Sequence, residues 1–192
     1  EEAGILDKAV LIEVDAGSRE MMKIWEFKVE YFRVNHSVPD CAGLYIESPT
    51  WTKIVHTWDF KIDFSPAIDQ PADLDRIAEI WKRWISLLMS DSTGSIRKWF
   101  SMSEKNVWEE LDKIVANHTK WRLIIAIFAS WISRVQQLIN IAEKYWKTIF
   151  LSWRSMVENV SIAKDLGYLT MKPGVVKKMT SKNVEWIPPH KQ

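Results

Sequence analysis

The stretch Lys53–Phe64, KIVHTWDFKIDF, holds a short β-branched run, a corner and an acid. Ile54, Val55 and Thr57 suit a strand, and Asp59 follows at its end. A corner that delivers a carboxylate to a site is best made by a small residue, because tight corners often need positive φ and glycine supplies it freely. This corner carries Trp58, one of 12 tryptophans in 192 residues, in a chain with only 6 glycines. Ordinary glycine usage is about 7%, so the chain is as poor in glycine as it is rich in tryptophan.

Working outward from Trp58, the preceding YIESPTWTKIVHT predicts a hairpin whose turn is SPTW, with Trp51 where a turn prefers glycine. Residues 26–34, EFKVEYFRV, alternate, with Phe27, Val29 and Tyr31 on one face, which is strand periodicity. The first 65 residues therefore read as mostly β. Beyond PADLDRIAEI, a predicted helix, strands alternate with amphipathic helices. Strands are expected at 84–91, 122–128 and 147–152. Helices are expected over SMSEKNVWEELDKIVANH, where Ser101 and Glu104 suggest a capping box and Val107, Leu111, Ile114 and Val115 share a face. Another follows Ser130, with Ile132, Val135, Leu138, Ile139 and Ala142 aligned. A last helix, with Ser155 and Glu158 as a capping box, ends at Gly167, a fitting left-handed terminator. Strand–helix alternation implies βαβ units on a parallel sheet. The tail from Lys172 shows no clear closing element.

The bulk composition is that of a globular protein, with 47% hydrophobic and 27% charged residues. A net charge of +1 argues neither for nor against nucleic acid. The single cysteine, Cys41, rules out internal disulfides and favours a reducing, cytoplasmic setting. EEAGILDK at the start lacks the pattern of a secretory leader, and the longest apolar run, LIIAIFASWI from Leu123, is too short to span a bilayer.

Several side chains can carry chemistry. In FRVNHSVPDC, His36 follows the alternating strand; in HTWDF, Asp59 follows the next. A histidine and an aspartate at strand ends can converge as metal ligands, although a lone histidine more often has a structural role and a lone aspartate more often caps a turn. In LLMSDSTGS, Asp91, Ser92 and Thr93 follow a buried run and offer oxygens, or close an Asx or Ser/Thr turn. His56 can orient a neighbouring carboxylate or simply occupy an edge. His118 reads as solvated and His190 lies in the tail. Arg134 and Arg154 fall near element ends, where phosphate contact is possible and solvation is the commoner fate. No Ser/His/Asp set, CxxC pair or phosphate-cradling glycine loop is present.

Read together, FRVNHSVPD, IVHTWDFKIDFSP, LLMSDSTG, IIAIFASWISRVQQ and LSWRSMVENVSIAKDLGYL resemble, in order and spacing, the motifs of the ribonuclease J family, metallo-β-lactamase-fold nucleases with an inserted β-CASP domain. The resemblance implies an α/β chain: a partial metallo-β-lactamase αββα sandwich over residues 1–95, then the start of a parallel α/β β-CASP domain over 96–192. It implies that His36 is a zinc ligand, that Asp59 bridges two zinc ions, and that Asp91 supports a ligand histidine from behind. It further implies 5′-to-3′ exonuclease and endonuclease action on RNA in decay and maturation, including ribosomal RNA processing, with homodimerisation and a cytoplasmic location. The H-x-H-x-D-H motif of the family is not in this sequence, so the chain reads as an internal piece that is inactive alone. Trp131 and Ser133 stand where the family usually has Asn and His. Two other readings remain: a degenerate homologue that only binds RNA or a protein partner, and a β-CASP nuclease of the kind that processes pre-mRNA ends, to which VNHSVPD and SMVENVSIA conform less well.

The tryptophans fit the same resemblance. At Trp25, Trp51, Trp58, Trp81, Trp84, Trp108, Trp121, Trp146 and Trp153 the family pattern usually or often has glycine, and Trp99 and Trp186 fit glycine loop positions too. One cause covers them all: a gene that uses UGA for glycine, translated with a code that reads UGA as tryptophan. Overpacking costs about 1–3 kcal/mol per site, so about ten such insertions would exceed a total stability of about 5–15 kcal/mol. A naturally tryptophan-rich chain would instead place its tryptophans as core filler.

Overall fold

The computed structural model describes residues 8–66, 68–99, 101–118 and 122–180. The fold is mixed α/β, in the order β1 (Met21–Ile24), β2 (Phe27–Arg33), β3 (Ala42–Glu47), β4 (Lys53–His56), α1 (Leu74–Trp81), β5 (Leu87–Met89), α2 (Glu104–Asn117), α3 (Ile132–Lys144), β6 (Ile149–Leu151), α4 (Arg154–Asp165) and β7 (Val176–Lys178). It divides into two compact units that interleave along the chain. The first takes Glu1–Arg33, Ala42–Trp58 and Asp73–Asp91; the second takes Val34–Cys41, Asp59–Ala72 and Ser92–Gln192.

In the first unit a five-stranded sheet runs β1-β2-β3-β4-β5. The first four strands are antiparallel neighbours and β5 lies parallel to β4, joined to it through α1. The hairpin expected at SPTW forms: Ser48 N–H donates to Thr52 O at 2.9 Å and Trp51 N–H to Ser48 O at 3.0 Å. The alternation of β2 is less one-sided than its sequence suggests, because Val29 is buried, but so are Glu30 and Phe32. Phe32 pairs across the sheet with Gly43, where any Cβ would strike the ring. Glu30 is fully buried and held by Arg76 and Arg83; Arg83 also lies 4.8 Å over the ring of Tyr45, the residue opposite Glu30. A buried carboxylate is tolerated only with such partners. Asp73 caps α1 by accepting Arg76 N–H at 3.0 Å.

In the second unit, α3, β6 and α4 surround a core of Ile132, Val135, Ile139, Leu151, Val160, Ala163 and Leu169. Of the expected α3 stripe, Ile132, Val135, Ile139 and Ala142 are buried and Leu138 is half-buried, and the buried face is wider than the stripe, taking in Gln136, Gln137 and Ile141 as well. On α2, Val115 is buried and Val107 and Leu111 half-buried, whereas Ile114 is exposed. Strands β6 and β7 are parallel and bracket α4.

Several expectations are corrected. Residues 122–128 form no strand: among the described residues β6 pairs with β7, Ile124 and Phe128 are exposed, and Ile127 packs on the core. Apolarity without a neighbouring backbone to bond does not make a strand. Conversely, the tail beyond Lys172 does supply an element, β7. Ser101, Ser130 and Ser155 are not caps. Ser103 caps α2 and accepts Lys105 N–H, while Trp131 and Trp153 occupy the N-cap positions of α3 and α4 without a side-chain bond.

Candidate functional site

The segments carrying His36 and Asp59 are brought together by the residue before one and the residue two beyond the other. Asn35 forms an antiparallel bridge with Lys61, whose N–H donates to Asn35 O at 2.8 Å. The Asn35 side chain is buried, donating to Gln70 O at 2.7 Å and accepting Ala72 N–H at 2.9 Å. This fastening was not singled out from the sequence, where the N of VNHS was the only hint. Its product is a separation of 3.8 Å between His36 Nε2 and Asp59 Oδ2, with 37% of the histidine side chain and 73% of the aspartate side chain exposed.

That pair has the right chemistry for a metal: an imidazole nitrogen and a carboxylate oxygen, both reachable. Two donors of a tetrahedral zinc site with bonds of about 2.0–2.2 Å stand roughly 3.4 Å apart, so 3.8 Å is within a small side-chain adjustment of that arrangement. Among the described residues no group of three or more His, Cys, Asp or Glu is placed to hold a metal. The pair therefore supplies two candidate donors and not a complete metal site.

Lys61 also enters a partly buried ionic brace that no spacing in the sequence displays. Asp63 accepts N–H bonds from Ser65 and from Glu104, each at 3.0 Å, and Lys61 Nζ sits 3.2 Å from it. Lys61 also reaches Glu104 at 2.9 Å, and Arg134 reaches the other Glu104 oxygen at 2.7 Å. Burial pushes the Glu104 carboxyl up, but the hydrogen bonds and charges of Lys61 and Arg134 outweigh it and hold the group below the usual carboxylate range. Burial also pushes Asp63 up, and the N–H donors with Lys61 again win. Arg134 is thus neither solvated nor open to phosphate; it is mostly buried and its guanidinium stacks 5.2 Å over Trp131. Arg154 is exposed beside Glu158.

At the end of β4, Trp58 N–H donates to His56 Nδ1 at 3.0 Å, so this histidine braces the corner. The Thr57 hydroxyl accepts Asp91 N–H at 3.0 Å, and Thr57 N–H donates to Met89 O at 3.0 Å. These bonds tie the ends of β4 and β5 together and fix the Asp91 backbone in the first unit, whereas His36 and Asp59 belong to the second. His118, at the end of α2, is exposed and accepts Lys147 Nζ through its carbonyl. His190 lies outside the described residues. The surface pocket lined by Lys105, Trp108, Asp112, Asn140 and Lys144 includes neither His36 nor Asp59.

Residues 120–191 match the family model described as "Ribonuclease J, beta-CASP domain". The ribonuclease J of Thermus thermophilus is 35% identical over 164 residues, 85% of this chain and 28% of the relative. That of Corynebacterium glutamicum is 35% identical over 181 residues, 94% of this chain and 24% of the relative. The chain belongs to the ribonuclease J family. It spans about a quarter of the length of these two curated relatives. The ribonuclease J of Mycolicibacterium smegmatis, 34% identical over 176 residues, matches 92% of this chain and 31% of its own length. A solved structure, a protein of unknown function from Enterococcus faecalis V583, covers 88% of this chain and 41% of its own with a TM-score of 0.56 and 14% identity, which bears on the fold alone. No helix among the described residues is long and apolar enough to cross a membrane.

Proposed function

We propose that the chain is part of a zinc-dependent ribonuclease J that hydrolyses RNA from 5′ to 3′ and also internally. The observation that carries this reading is the pairing of His36 and Asp59, 3.8 Å apart, each on the segment that follows a strand and each inside a ribonuclease J motif. Bound zinc would supply a hydroxide at neutral pH and neutralise charge on the phosphoryl oxygens. His36 would give one ligand nitrogen. Asp59, the more exposed of the two, would give the carboxylate shared between ions. Asp91 would act indirectly, by orienting a ligand histidine.

On the same reading, residues 1–95 belong to the metallo-β-lactamase domain and 96–192 to the β-CASP domain, the whole enzyme is a cytoplasmic homodimer, and this stretch alone does not cleave. Family membership and the incomplete donor set both favour that arrangement: a catalytic zinc site needs three protein ligands, and two candidate donors are described here. The test is zinc content and degradation of a 5′-monophosphorylated RNA by the whole enzyme. Asp59→Ala and His36→Ala should each lose zinc and fall to background cleavage. Asp91→Ala should lose more activity than zinc. Full activity in Asp59→Ala would overturn the assignment. A protein that binds RNA but is indifferent to all three changes would instead be the degenerate, binding-only homologue.

A further inference from the structure

Eight described residues other than glycine have positive φ, and six are tryptophan: Trp25 (54°), Trp51 (66°), Trp58 (53°), Trp84 (62°), Trp99 (81°) and Trp146 (55°). The remaining two are Arg19 and Asp40. Left-handed backbone crowds Cβ against the following carbonyl, so glycine takes it routinely, aspartate sometimes, and a bulky aromatic scarcely at all.

Three of the six sit in motifs whose hydrogen bonding names the residue required. Trp25 is the first of two loop residues in the β1–β2 hairpin, closed by the Ile24–Phe27 pair. Both favoured two-residue hairpin turns need positive φ at that position. Ser48-Pro49-Thr50-Trp51 has serine first and proline second, as a type I turn prefers, and glycine is the preferred fourth residue. At the end of α3, Lys147 N–H donates to Ala142 O at 2.8 Å and Trp146 N–H to Glu143 O at 3.4 Å. That is a Schellman motif with Trp146 at its glycine position. The side chains offer little in return: Trp25, Trp84, Trp99 and Trp146 are all nearly nine-tenths exposed.

We infer that in its native cell this protein carries glycine at positions 25, 51, 58, 84, 99 and 146, its gene spelling them UGA. Trp81 and Trp108 lie within helices and make no such conformational demand; Trp153 is an N-cap, where glycine is acceptable and tryptophan contributes no bond. The inference stands apart from the ribonuclease reading, and a protein that bound no zinc would leave it untouched.

Peptide mass spectrometry of the protein purified from its own cells, read beside the codons, tests it. Glycine at most of the six positions, on UGA codons, is the expected result. Tryptophan at most of them, or UGG codons there, overturns it. A second measurement needs no native source: the chain as written is compared in urea with a variant carrying all six changes to glycine. The glycine form should unfold at higher urea; an equal or lower midpoint counts against the inference, and tryptophan in the native peptides overturns it whatever the midpoints show.

Discussion

Helices α3 and α4 end in the same way with different residues. At α4, Tyr168 N–H donates to Ala163 O at 2.8 Å and Gly167 N–H to Lys164 O at 3.0 Å, with Gly167 at φ 83°. At α3 the two bonds recur, from Lys147 to Ala142 and from Trp146 to Glu143, with Trp146 at φ 55°. Backbone bonding has imposed the same left-handed turn on both ends, and only one of them carries the residue that adopts it without strain. At about 1–2 kcal/mol per left-handed side chain, six tryptophans would cost about 6–12 kcal/mol, against a typical net stability of about 5–15 kcal/mol. The two helix ends teach that a turn can be identified by its hydrogen bonds even where the residue in it is the wrong kind.

Corners fixed by side-chain bonds supply the contrast to those fixed by φ, and they should show the largest effect. Asn35→Ala removes the buried amide that donates to Gln70 O and accepts Ala72 N–H. A loss of about 1–3 kcal/mol is expected for the two hydrogen bonds together, read as a lower urea midpoint. A smaller loss than that of any turn substitution would show that φ, and not Asn35, shapes this region.

Next in size is the converse of the α3 case. Gly167→Trp places a bulky residue at φ 83°, and nothing lies within 4 Å of the new Cβ. Any destabilisation is then conformational, about 1–3 kcal/mol. An unchanged midpoint would remove the basis for calling the six tryptophans strained.

The brace around Glu104 responds to pH and separates ionic from backbone control. Asp63 and Glu104 have lowered folded-state values, so their contribution is complete above the ordinary carboxylate range and is lost as pH falls through the lowered ones. Stability should therefore decline below about pH 4. Lys61→Met should shrink that decline, measured as urea midpoints at several pH values, while Trp146→Gly should leave its shape alone.

Much of this was legible in the sequence where a local rule acts alone. SPTW marked its hairpin, Gly167 marked the end of α4, and the α3 stripe marked its core. Of the candidate site, His36 and Asp59 were legible as residues that follow strands, one strand marked by alternation and the other by a β-branched run. What brings them together was not, because Asn35, Lys61, Asp63 and Glu104 are tied by contacts between distant segments that no spacing displays. Helix starts depend on distant contacts too: Asp63 accepts the N–H of Glu104 and helps to set the start of α2, so Ser101 is not its cap. The run at 122–128 failed as a strand because apolarity cannot announce whether a neighbouring strand exists.

The smallest effects decide most sharply between strain and packing. Trp146 is 87% exposed, so Trp146→Gly forfeits little burial. Relief of about 1–2 kcal/mol is offset by the greater freedom of glycine in the unfolded chain, about 0.4–1 kcal/mol. A net gain of somewhat under about 1 kcal/mol remains. Trp58 has the same left-handed backbone but its ring lies 4.9 Å from that of His56, and such a contact is worth about 0.5–1.5 kcal/mol. Trp58→Gly should accordingly come out near zero, while Trp146→Gly comes out positive, both measured as urea midpoints under one buffer. Trp131→Gly is the control: its φ of −79° is unstrained and its ring meets Phe128 and Arg134, so it should lose stability. If all three shifted alike, general loss of aromatic surface would explain the result. If only Trp146→Gly gained, the backbone at the end of α3 is asking for the residue that already stands at the end of α4.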